Sequence, residues 1–343
     1  MLERGLRAED IGLIPAAAGG PKGLVLNHLD RLLFGNWLKG PQPLHLVGAS
    51  IGAWRMTTAC LPGDAAQNFA AMAEAYVAQQ YDPEPGEKRL RAGPVSAKFE
   101  AILAAQFKGR ETELLAHPRH RLHIVTSRGK ARLLAREGRL RTPLGYLGAY
   151  AANLLHRPWL GSWLERVVFT DPRGRLPLAL NDFASHEVAL SPANLRPALL
   201  ASCSIPFWLA AQQDLPGAPR GAYWDGGITD YHLHLDYRGL LGSQAPLVLY
   251  PHFQAEVIPG WLDKALKRRH RPSPLLDNLV LLVPQPDWVR SLPGGKLPDR
   301  NDFVKLAPAE RMQRWRIAVA ESERLAESFV QMTSRDTLQA LPL

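Results

Sequence analysis

Short apolar runs alternate with glycine-rich turns and leucine-rich segments over the first sixty residues, and this alternation limits the folds open to the chain. Ile11 to Pro15 predicts a buried strand that runs into the Gly19-Gly20 loop, and Lys22 to Leu38 has the leucine spacing of a helix. Leu44 to Val47 predicts a second strand, followed after a sharp turn by a helix over Ile51 to Cys60. Such alternation is typical of an α/β fold with a mostly parallel central sheet and helices on both faces.

The same signals continue along the chain. Strands are predicted at Leu122 to Thr126, Val167 to Thr170, Val188 to Leu190, Ala222 to Asp225, Leu247 to Tyr250 and Leu279 to Val283. Helices are predicted at Ala65 to Tyr81, Leu144 to Leu164, Ala193 to Cys203 and Pro308 to Met332, and an exposed loop at Tyr81 to Val95. Without a fixed-period repeat or a clear linker, we expect a single domain over residues 1–343.

Composition says more about which partners and compartment suit the chain than about the reaction that it could catalyse. The net charge of +9 suits a solvated basic surface, an anionic membrane or a nucleic acid. No zinc-finger, RRM or helix-turn-helix signature supports nucleic acid. The 2 cysteines are too few for a disulfide framework, and they do not have the C-x-x-C spacing of a zinc site. The first residues do not match a signal peptide and no stretch approaches ~20 apolar residues. We therefore expect a cytoplasmic protein, with peripheral membrane contact as the further hypothesis.

A serine nucleophile is indicated by Gly48-Ala49-Ser50-Ile51-Gly52, which matches the pattern G-x-S-x-G. Between a strand and a helix the serine must take a strained turn, and glycines at Gly48 and Gly52 avoid collisions with the neighbouring strand and helix. The helix that follows directs its positive N-terminal end at the reacting centre. The five residues alone are a weak signal, but their position directly after a predicted strand favours a catalytic role for Ser50.

The loop Ala18-Gly19-Gly20-Pro21-Lys22-Gly23 is either a simple strand-to-helix turn or a ligand loop. No G-K-[ST] follows at the spacing of a phosphate loop, so nucleotide binding is poorly supported. An acyl-transfer enzyme needs backbone N–H donors for the oxyanion of its tetrahedral intermediate. Gly19 and Gly20 are the candidate donors, supported by Ala18, Lys22 and Gly23. Lys22 would add positive charge or cap nearby carbonyl groups.

Asp225-Gly226-Gly227 supplies a candidate base. A serine hydroxyl needs a base to remove its proton, usually a histidine held by a carboxylate. The order Ser50, Asp225, His252 would suit an α/β-hydrolase, but that fold places its nucleophile later than the second strand. A direct role for Asp225 is the simpler hypothesis, because the turn at Gly226 and Gly227 allows close approach and partial burial would raise the carboxyl pKa.

These motifs, together with the segment Ala201-Ser202-Cys203-Ser204-Ile205-Pro206-Phe207, resemble those of the patatin-like phospholipases in kind and order. The family pattern is G-G-G-x-[RK]-G, then G-x-S-x-G, then A-S-x-A-x-P-x-F just upstream of D-G-[GA]. In this chain the four motifs span positions 18 to 227, and the resemblance covers about residues 11–240. Residues 241–343 carry no motif of the family.

The resemblance implies a three-layer α/β fold, a Ser50–Asp225 dyad without histidine, and no metal or organic cofactor. It also implies hydrolysis of lipid acyl esters, whether phospholipid, lysophospholipid or acylglycerol. Two positions depart from the family pattern. Ala18 stands where the family has its first glycine, and Ile228 to His232 replaces the usual continuation toward N-x-P, which leaves the shape of the substrate pocket open.

Two further segments have alternative interpretations. Trp261 to Arg271 joins apolar anchors to the cations Lys264, Lys267, Arg268, Arg269 and Arg271, which suits either an anionic bilayer surface or a solvated basic helix end. The stripe Trp159, Trp163 and Leu164 either lines an acyl channel or packs in the core. An acyltransferase that uses the same acyl-enzyme, and a non-catalytic lipid-binding module, remain as rival functions.

Overall fold

The computed structural model describes residues 5–81 and 91–334, and the strands of these residues form a nine-stranded sheet. The strands are β1 Ile11–Ala16, β2 Leu44–Ala49, β3 His120–Gly129, β4 Leu164–Thr170, β5 Ser185–Ala189, β6 Gln212–Gln213, β7 Ala222–Asp225, β8 Leu247–Pro251 and β9 Leu279–Leu282. Seven of them follow the order β5-β4-β3-β2-β1-β8-β9 across the sheet. The run β3-β2-β1-β8-β9 is parallel, whereas β4 is antiparallel to β3.

The α-helices are α1 Asn27–Leu32, α2 Ile51–Ala59, α3 Ala65–Val77, α4 Ala92–Phe107, α5 Glu111–Leu115, α6 Arg141–Leu155, α7 Leu195–Ser202, α8 Pro286–Ser291, α9 Asp302–Lys305, α10 Pro308–Glu321 and α11 Glu323–Thr333. Turns of 3-10 helix lie at Ala8–Asp10, Gly20–Leu26, Arg157–Ser162, Gly226–Ile228, Tyr237–Leu240, Trp261–Asp263, Lys267–Arg269, Pro274–Leu276 and Pro293–Gly295, and a π-helical turn at Leu33–Trp37. Local signals fix several starts: the Asp64 carboxylate accepts the Ala66 and Gln67 N–H groups at α3, and Pro286 and Pro308 open α8 and α10.

Both faces of the sheet are covered, which confirms the predicted α/β class. Consecutive residues of the strands belong to different apolar clusters: Leu46 and Ile124 face one cluster, and Val47 and Val125 face the other. The first cluster is completed by side chains from α1, α2, α3, α4 and α7, and the second by residues of the 3-10 turns and of α8 and α10. Strands buried on both faces explain the continuous apolar runs in the sequence.

The topology around β3 positions the candidate site. Strand β2 pairs in parallel with residues 120–125 of β3, and β7 pairs antiparallel with residues 126–128. Because β4 occupies the other edge of β3, β2 and β7 lie on one edge and meet end to end. Ala49 is opposite Val125 and Asp225 is opposite Thr126, so the carboxyl ends of two strands distant in sequence adjoin on a single template strand.

Several predicted helices are shorter or more broken than the sequence pattern indicated. Lys22 to Leu38 is a 3-10 turn, then α1, then a π-helical turn, because Gly20 has φ +57° and Pro21 opens the first turn directly behind it. Leu144 to Leu164 is α6 followed by a 3-10 turn, since Pro158 lies three residues past the end of α6 and lacks an N–H. Leu164 already belongs to β4.

The predicted helix Pro308 to Met332 is two helices, α10 and α11, separated at Ser322. The buried Ser322 hydroxyl donates to the Val319 carbonyl at 2.6 Å, which competes with helix continuation. Of the predicted loop Tyr81 to Val95, residues 82–90 lie outside the described residues, and residues 92–95 open α4.

Candidate active site

Ser50 occupies the strained turn that the pattern predicts. It connects β2 to α2 with φ 57° and ψ −128°, a conformation that costs a non-glycine residue free energy. The flanking glycines have a steric reason. A Cβ on Gly48 would collide with the backbone of Gly52 and Ala53, and one on Gly52 would overlap the Ala16 carbonyl of β1. The turn can therefore pack against β1 only with these two glycines.

The structure brings Ser50 and Asp225 into direct contact. The Ser50 hydroxyl donates to Asp225 Oδ2 at 2.6 Å, and the Gly227 N–H donates to Asp225 Oδ1 at 2.7 Å. Both residues are buried, with 4% of Ser50 and 6% of Asp225 exposed. Gly226 permits the approach because a Cβ there would overlap the Val125 carbonyl of β3. The pair thus has the separation that proton transfer requires.

The segment Ala201 to Phe207 holds both members of this pair through its backbone and its serines. Ser202 Oγ accepts the Ser50 N–H at 2.9 Å and donates to the Val125 carbonyl at 2.6 Å. Two residues later, the Ser204 carbonyl accepts the Asp225 N–H at 2.9 Å. The end of α7 therefore clamps the Ser50 turn and the end of β7 together, a role that the sequence motif by itself did not reveal.

Burial sets the acidity of Asp225. Loss of hydration raises the pKa of this carboxyl to about 6, against hydrogen bonds from Ser50 and Gly227 and the more distant charges of Arg300 and Lys264, which lower it. The carboxyl is then ionised at neutral pH and is a stronger base than a solvated aspartate. Ser127 Oγ also donates to the Asp225 backbone carbonyl at 2.9 Å and fixes the chain at this point.

The glycine loop lies across the cleft from this pair. The Ala18 N–H is already engaged, donating to the Tyr231 carbonyl at 2.9 Å, whereas in the described part of the chain the Gly19 and Gly20 amides donate to no protein group. Gly20 has φ +57°, and a Cβ on Gly19 would overlap the Phe253 ring. Gly19 and Gly20 each line a cavity that also contains Ser50. Two unengaged amides beside Ser50 fit the geometry of an oxyanion site.

An apolar cavity extends from one side of Ser50. Its walls come from α2, α3, α4, α9 and the segment after α7, and include Trp54, Tyr76, Phe99, Trp208 and Phe303. Such a lining suits a hydrocarbon chain, because each buried methylene contributes about 0.8 kcal/mol.

A second cavity opens on the other side of Ser50 and is cationic. Lys22, Lys264 and Arg300 line it, and within the described residues its carboxylates are Asp225 and Asp299. Burial lowers the pKa of Lys22, against the influence of Asp299. Partial burial, with Lys22 and Arg300 nearby, lowers the pKa of Lys264 to about 8, although part of this side chain is exposed.

Two of these residues were missed as site residues by the sequence analysis. Arg300 lines both cavities, and Lys264 places its ammonium 4.1 Å from the centre of the Tyr231 ring. Lys264 was noted only for the charge of its segment, and nothing in the sequence around Arg300 distinguishes it from a surface arginine. Both lie in the region without a family motif, so only the fold brings them to Ser50.

His252 lies away from the pair. Its Nδ1 is 2.5 Å from the Gln254 carbonyl, its ring stacks on Phe253, and it lines a separate groove beside α11. Among the described residues no histidine lines either cavity at Ser50. The contact that His252 would need with Asp225 is replaced by the direct bond from Ser50, so the geometry does not assemble the α/β-hydrolase triad.

The acyl-channel interpretation of Trp159, Trp163 and Leu164 is wrong. Trp159 is 55% exposed, and Leu164 packs in a small core cluster with Leu160 and Trp224. Trp163 fills the space beside Gly148 of α6, where a Cβ would overlap its ring. None of the three lines either cavity at Ser50.

The basic segment Trp261 to Arg271 is not a regular helix but two 3-10 turns. Trp261 and Lys264 line the cationic cavity. Arg269 pairs with the buried Asp263 carboxylate at 2.7 Å. The remaining cations, Lys267, Arg268 and Arg271, are exposed, and Lys267 lies 3.6 Å from the exposed carboxylate of Glu256. Among the described residues no helix is both long and apolar enough to cross a bilayer.

Comparison with known proteins gives a family match and distant structural likenesses, among them VipD and ExoU. The sequence model of the patatin-like phospholipases matches residues 17–232, more than half of the chain. VipD from Legionella pneumophila has 14% identity and a TM-score of 0.39, over 93% of this chain and 67% of its own. The type III effector protein ExoU has 14% identity and a TM-score of 0.30, over 92% and 53%. No curated protein sequence gives a significant match.

Proposed function

Because the chain belongs to the patatin-like phospholipase family, we propose that it is a serine acyl hydrolase with Ser50 as nucleophile and Asp225 as base. Membership of this family supports lipid hydrolysis as the general activity. The contact from Ser50 Oγ to Asp225 Oδ2, at 2.6 Å between two buried side chains, is the observation that carries the finer proposal. The catalytic machinery then needs neither a histidine nor a metal from this chain.

The proposed cycle has two halves. Asp225 accepts the Ser50 proton while Ser50 Oγ bonds to the ester carbonyl carbon, and the Gly19 and Gly20 amides hold the oxyanion. The tetrahedral intermediate collapses, the ester C–O bond breaks, and Asp225 returns the proton to the departing alcohol. Water then attacks the acyl-enzyme and gives its proton to Asp225. Collapse releases the fatty acid and restores the Ser50 hydroxyl.

The two cavities suggest how a substrate lies. The acyl chain would occupy the apolar cavity lined by Trp54, Tyr76 and Phe99, and the leaving alcohol the cationic one. Lys22, Lys264 and Arg300 would then favour a leaving group that carries negative charge, such as a phosphate ester. This arrangement favours phospholipids and lysophospholipids over neutral acylglycerols.

We further propose that the exposed cations Lys267, Arg268 and Arg271 lie toward an anionic membrane surface. Each cation near such a surface adds about 1 kcal/mol of attraction. The half-buried and paired Arg269 and the cavity-lining Trp261 and Lys264 are assigned no such contact, since their neighbours already hold them. Binding to anionic vesicles at low and high salt tests this part, and binding unchanged by Lys267→Gln/Arg268→Gln/Arg271→Gln contradicts it.

Labelling with a fluorophosphonate probe tests the nucleophile. The wild-type protein is expected to be labelled and to hydrolyse a short-chain acyl ester. Ser50→Ala should abolish both, and Asp225→Asn should lower hydrolysis at least a hundredfold because the base is lost. Ser162→Ala, which removes an exposed serine, is the matched control and should keep full labelling.

The same protein, offered a phospholipid and a diacylglycerol of identical acyl chains, should prefer the phospholipid. Product analysis separates the release of free fatty acid from acyl transfer to a second alcohol. Labelling that survives Ser50→Ala, or folded wild-type protein that neither reacts with the probe nor turns over an ester, would overturn the dyad.

A further inference from the structure

Helix α6 is a surface helix whose only charged residue is its first, Arg141. After Arg141, its residues 142–155 read Thr-Pro-Leu-Gly-Tyr-Leu-Gly-Ala-Tyr-Ala-Ala-Asn-Leu-Leu and contain no Asp, Glu, Lys or Arg. A helix at the surface of a soluble protein normally buries one apolar stripe and presents charged residues on the opposite face. In α6 the solvent-facing side is apolar as well, which requires an explanation other than stability of the fold.

The exposed side of α6 forms a continuous stripe, called here the α6 stripe: Leu140, Leu144, Leu147, Ala151, Leu154 and Leu155, which are all exposed. The spacing of three to four residues places them on one helix face. Leu147 has 64% and Leu155 70% of its surface exposed. The opposite face of α6 buries Tyr146, Ala149 and Asn153, so the stripe is not needed to hold the helix.

Cations flank the α6 stripe at both ends. Before the helix, Lys130, Arg132, Arg136, Arg139 and Arg141 are exposed, against the single acidic residue Glu137 in that stretch. After it, the basic segment lies alongside, because Asn153 donates to Asp263 at 2.8 Å and the Arg269 guanidinium is 3.5 Å from the Leu154 carbonyl. The exposed Arg268 and Arg271 belong to that segment. The surface is apolar at its centre and positive at its rim.

The buried face of α6 packs against residues next to the candidate site. The Tyr146 ring of α6 contacts the rings of Phe207 and Trp224 at centroid distances of 5.9 and 5.8 Å. Trp224 precedes Asp225 in the chain, and Phe207 lies between two residues that line the cationic cavity. Phe207 is itself 57% exposed, so an exposed aromatic side chain lies between α6 and the residues that line the cleft.

From this juxtaposition we propose that the α6 stripe docks on the surface of an anionic lipid bilayer, with the leucines and Phe207 among the acyl chains and the flanking arginines at the headgroups. The apolar centre and cationic rim have the composition of an interfacial helix. Charge complementarity favours lipid over a second copy of the chain, because two copies would bring their arginine rims together. The choice of lipid also rests on the proposed function, since a lipid ester must pass from a bilayer into the cleft beside α6.

Vesicle flotation tests docking separately from catalysis. It uses Ser50→Ala protein, so that binding is measured without turnover, and vesicles of phosphatidylcholine alone or mixed with phosphatidylglycerol. Binding to the mixed vesicles is expected, and Leu144→Ser/Leu147→Ser should weaken it at least tenfold. Leu241→Ser is the matched control, because Leu241 is also 55% exposed but precedes β8 at the other end of the strands.

The same leucine substitutions are then made in protein that keeps Ser50, so that hydrolysis can be measured. Hydrolysis of a monomeric short-chain ester should be unchanged, while hydrolysis of vesicle lipid should fall in parallel with binding. Equal vesicle binding by the leucine variant and the Leu241→Ser control would overturn the proposal, as would a concentration-dependent dimer that the leucine substitutions dissociate. If docking is lost on substitution but no ester is turned over at all, docking stands and the proposed function fails.

Discussion

At the scale of single residues, Asp225 combines two conflicting demands. A buried carboxylate is a better base because water no longer stabilises its charge, and for the same reason it destabilises the folded protein when ionised. Its hydrogen bonds come from Ser50 and Gly227 and compensate only in part, so that its pKa is raised to about 6. The residue that we propose activates Ser50 is therefore expected to lower the stability of the fold.

The raised pKa of Asp225 leads to a pH-dependent prediction. Activity needs the ionised base, so kcat/KM should fall as pH decreases through about 6. Stability has the opposite sign: a raised carboxyl pKa contributes stability below the unfolded pKa, and this contribution is lost as pH rises through about 6. Asp225→Asn should therefore stabilise the protein at pH 8 relative to wild type, by on the order of 1–3 kcal/mol, and much less at pH 4.

Thermal unfolding of both proteins across this pH range measures the difference. Ser162→Ala, which changes an exposed side chain that carries no charge, is the control, and its difference from wild type should not vary with pH. A difference between Asp225→Asn and wild type that is the same at pH 4 and pH 8 would show that the carboxyl does not titrate as its burial requires.

At the scale of elements, two short strands and one helix end assemble the site. Strands β2 and β7 meet on one edge of β3, and the end of α7 joins them through Ser202 and Ser204. The sequence located these elements well, because each strand is a short apolar run. Their meeting point could not be predicted, since register between segments 175 residues apart depends on the whole sheet.

The clamp predicts different outcomes for two similar serines. Ser202→Ala removes the hydroxyl that pairs with both the Ser50 N–H and the Val125 carbonyl, and leaves two buried backbone groups unpaired. We expect a loss of about 1–3 kcal/mol in the free energy of unfolding and at least a tenfold fall in kcat, because the Ser50 turn is released. Thermal unfolding and ester hydrolysis measure the two effects.

Ser204→Ala is the matched control. It is buried like Ser202, but its hydroxyl donates to the Leu200 carbonyl one helical turn back, and the variant keeps the carbonyl that holds Asp225. Its kcat should stay within about twofold of wild type. Equal losses of kcat in the two serine variants would mean that the hydroxyl of Ser202 does not position the nucleophile.

At the scale of the whole molecule, the region beyond the family match completes the candidate site. The match ends at residue 232, yet Lys264, Arg300 and Phe303 line the cavities beside Ser50. Arg311 of α10 ties this region to α3, donating to the Val77 carbonyl at 3.1 Å and also to the Gln79 carbonyl. We propose that residues 1–343 form one domain, with the C-terminal helices as an integral part.

Arg311 gives that proposal a test. Its guanidinium is 1% exposed and lies between the Phe303 and Trp315 rings, at 4.4 and 4.6 Å from their centres. Arg311→Ala should lower the free energy of unfolding by about 2–4 kcal/mol, since two buried carbonyls lose their partner and the two rings lose a packing surface. Calorimetry should show a single transition in both proteins.

Arg314→Ala, one turn along α10, controls for loss of charge. Arg314 is a partly exposed residue paired with Glu310 at the surface, and its removal should change stability by less than about 0.5 kcal/mol. Two separated transitions, or equal effects of the two arginines, would argue for a C-terminal unit that folds independently of the sheet.

The sequence alone was sufficient to predict the α/β class, the family, and the identities of the serine, the aspartate and the glycine loop as candidates. These features depend on local chemistry: a strand–turn–helix can bring a serine forward only where glycines such as Gly48 and Gly52 remove the side-chain clash. Strands buried on both faces also leave a signal in consecutive apolar residues.

The tertiary structure alone decided what surrounds those residues. It set the contact between Ser50 and Asp225, the clamp through Ser202, the cations Lys264 and Arg300 at the cleft, and the break of the C-terminal helix at Ser322. It also separated α6, which the sequence presents as an ordinary apolar helix, into a buried face and an exposed stripe. Each of these depends on the packing of segments far apart in the chain, and the exposure of a side chain is a property of its neighbours.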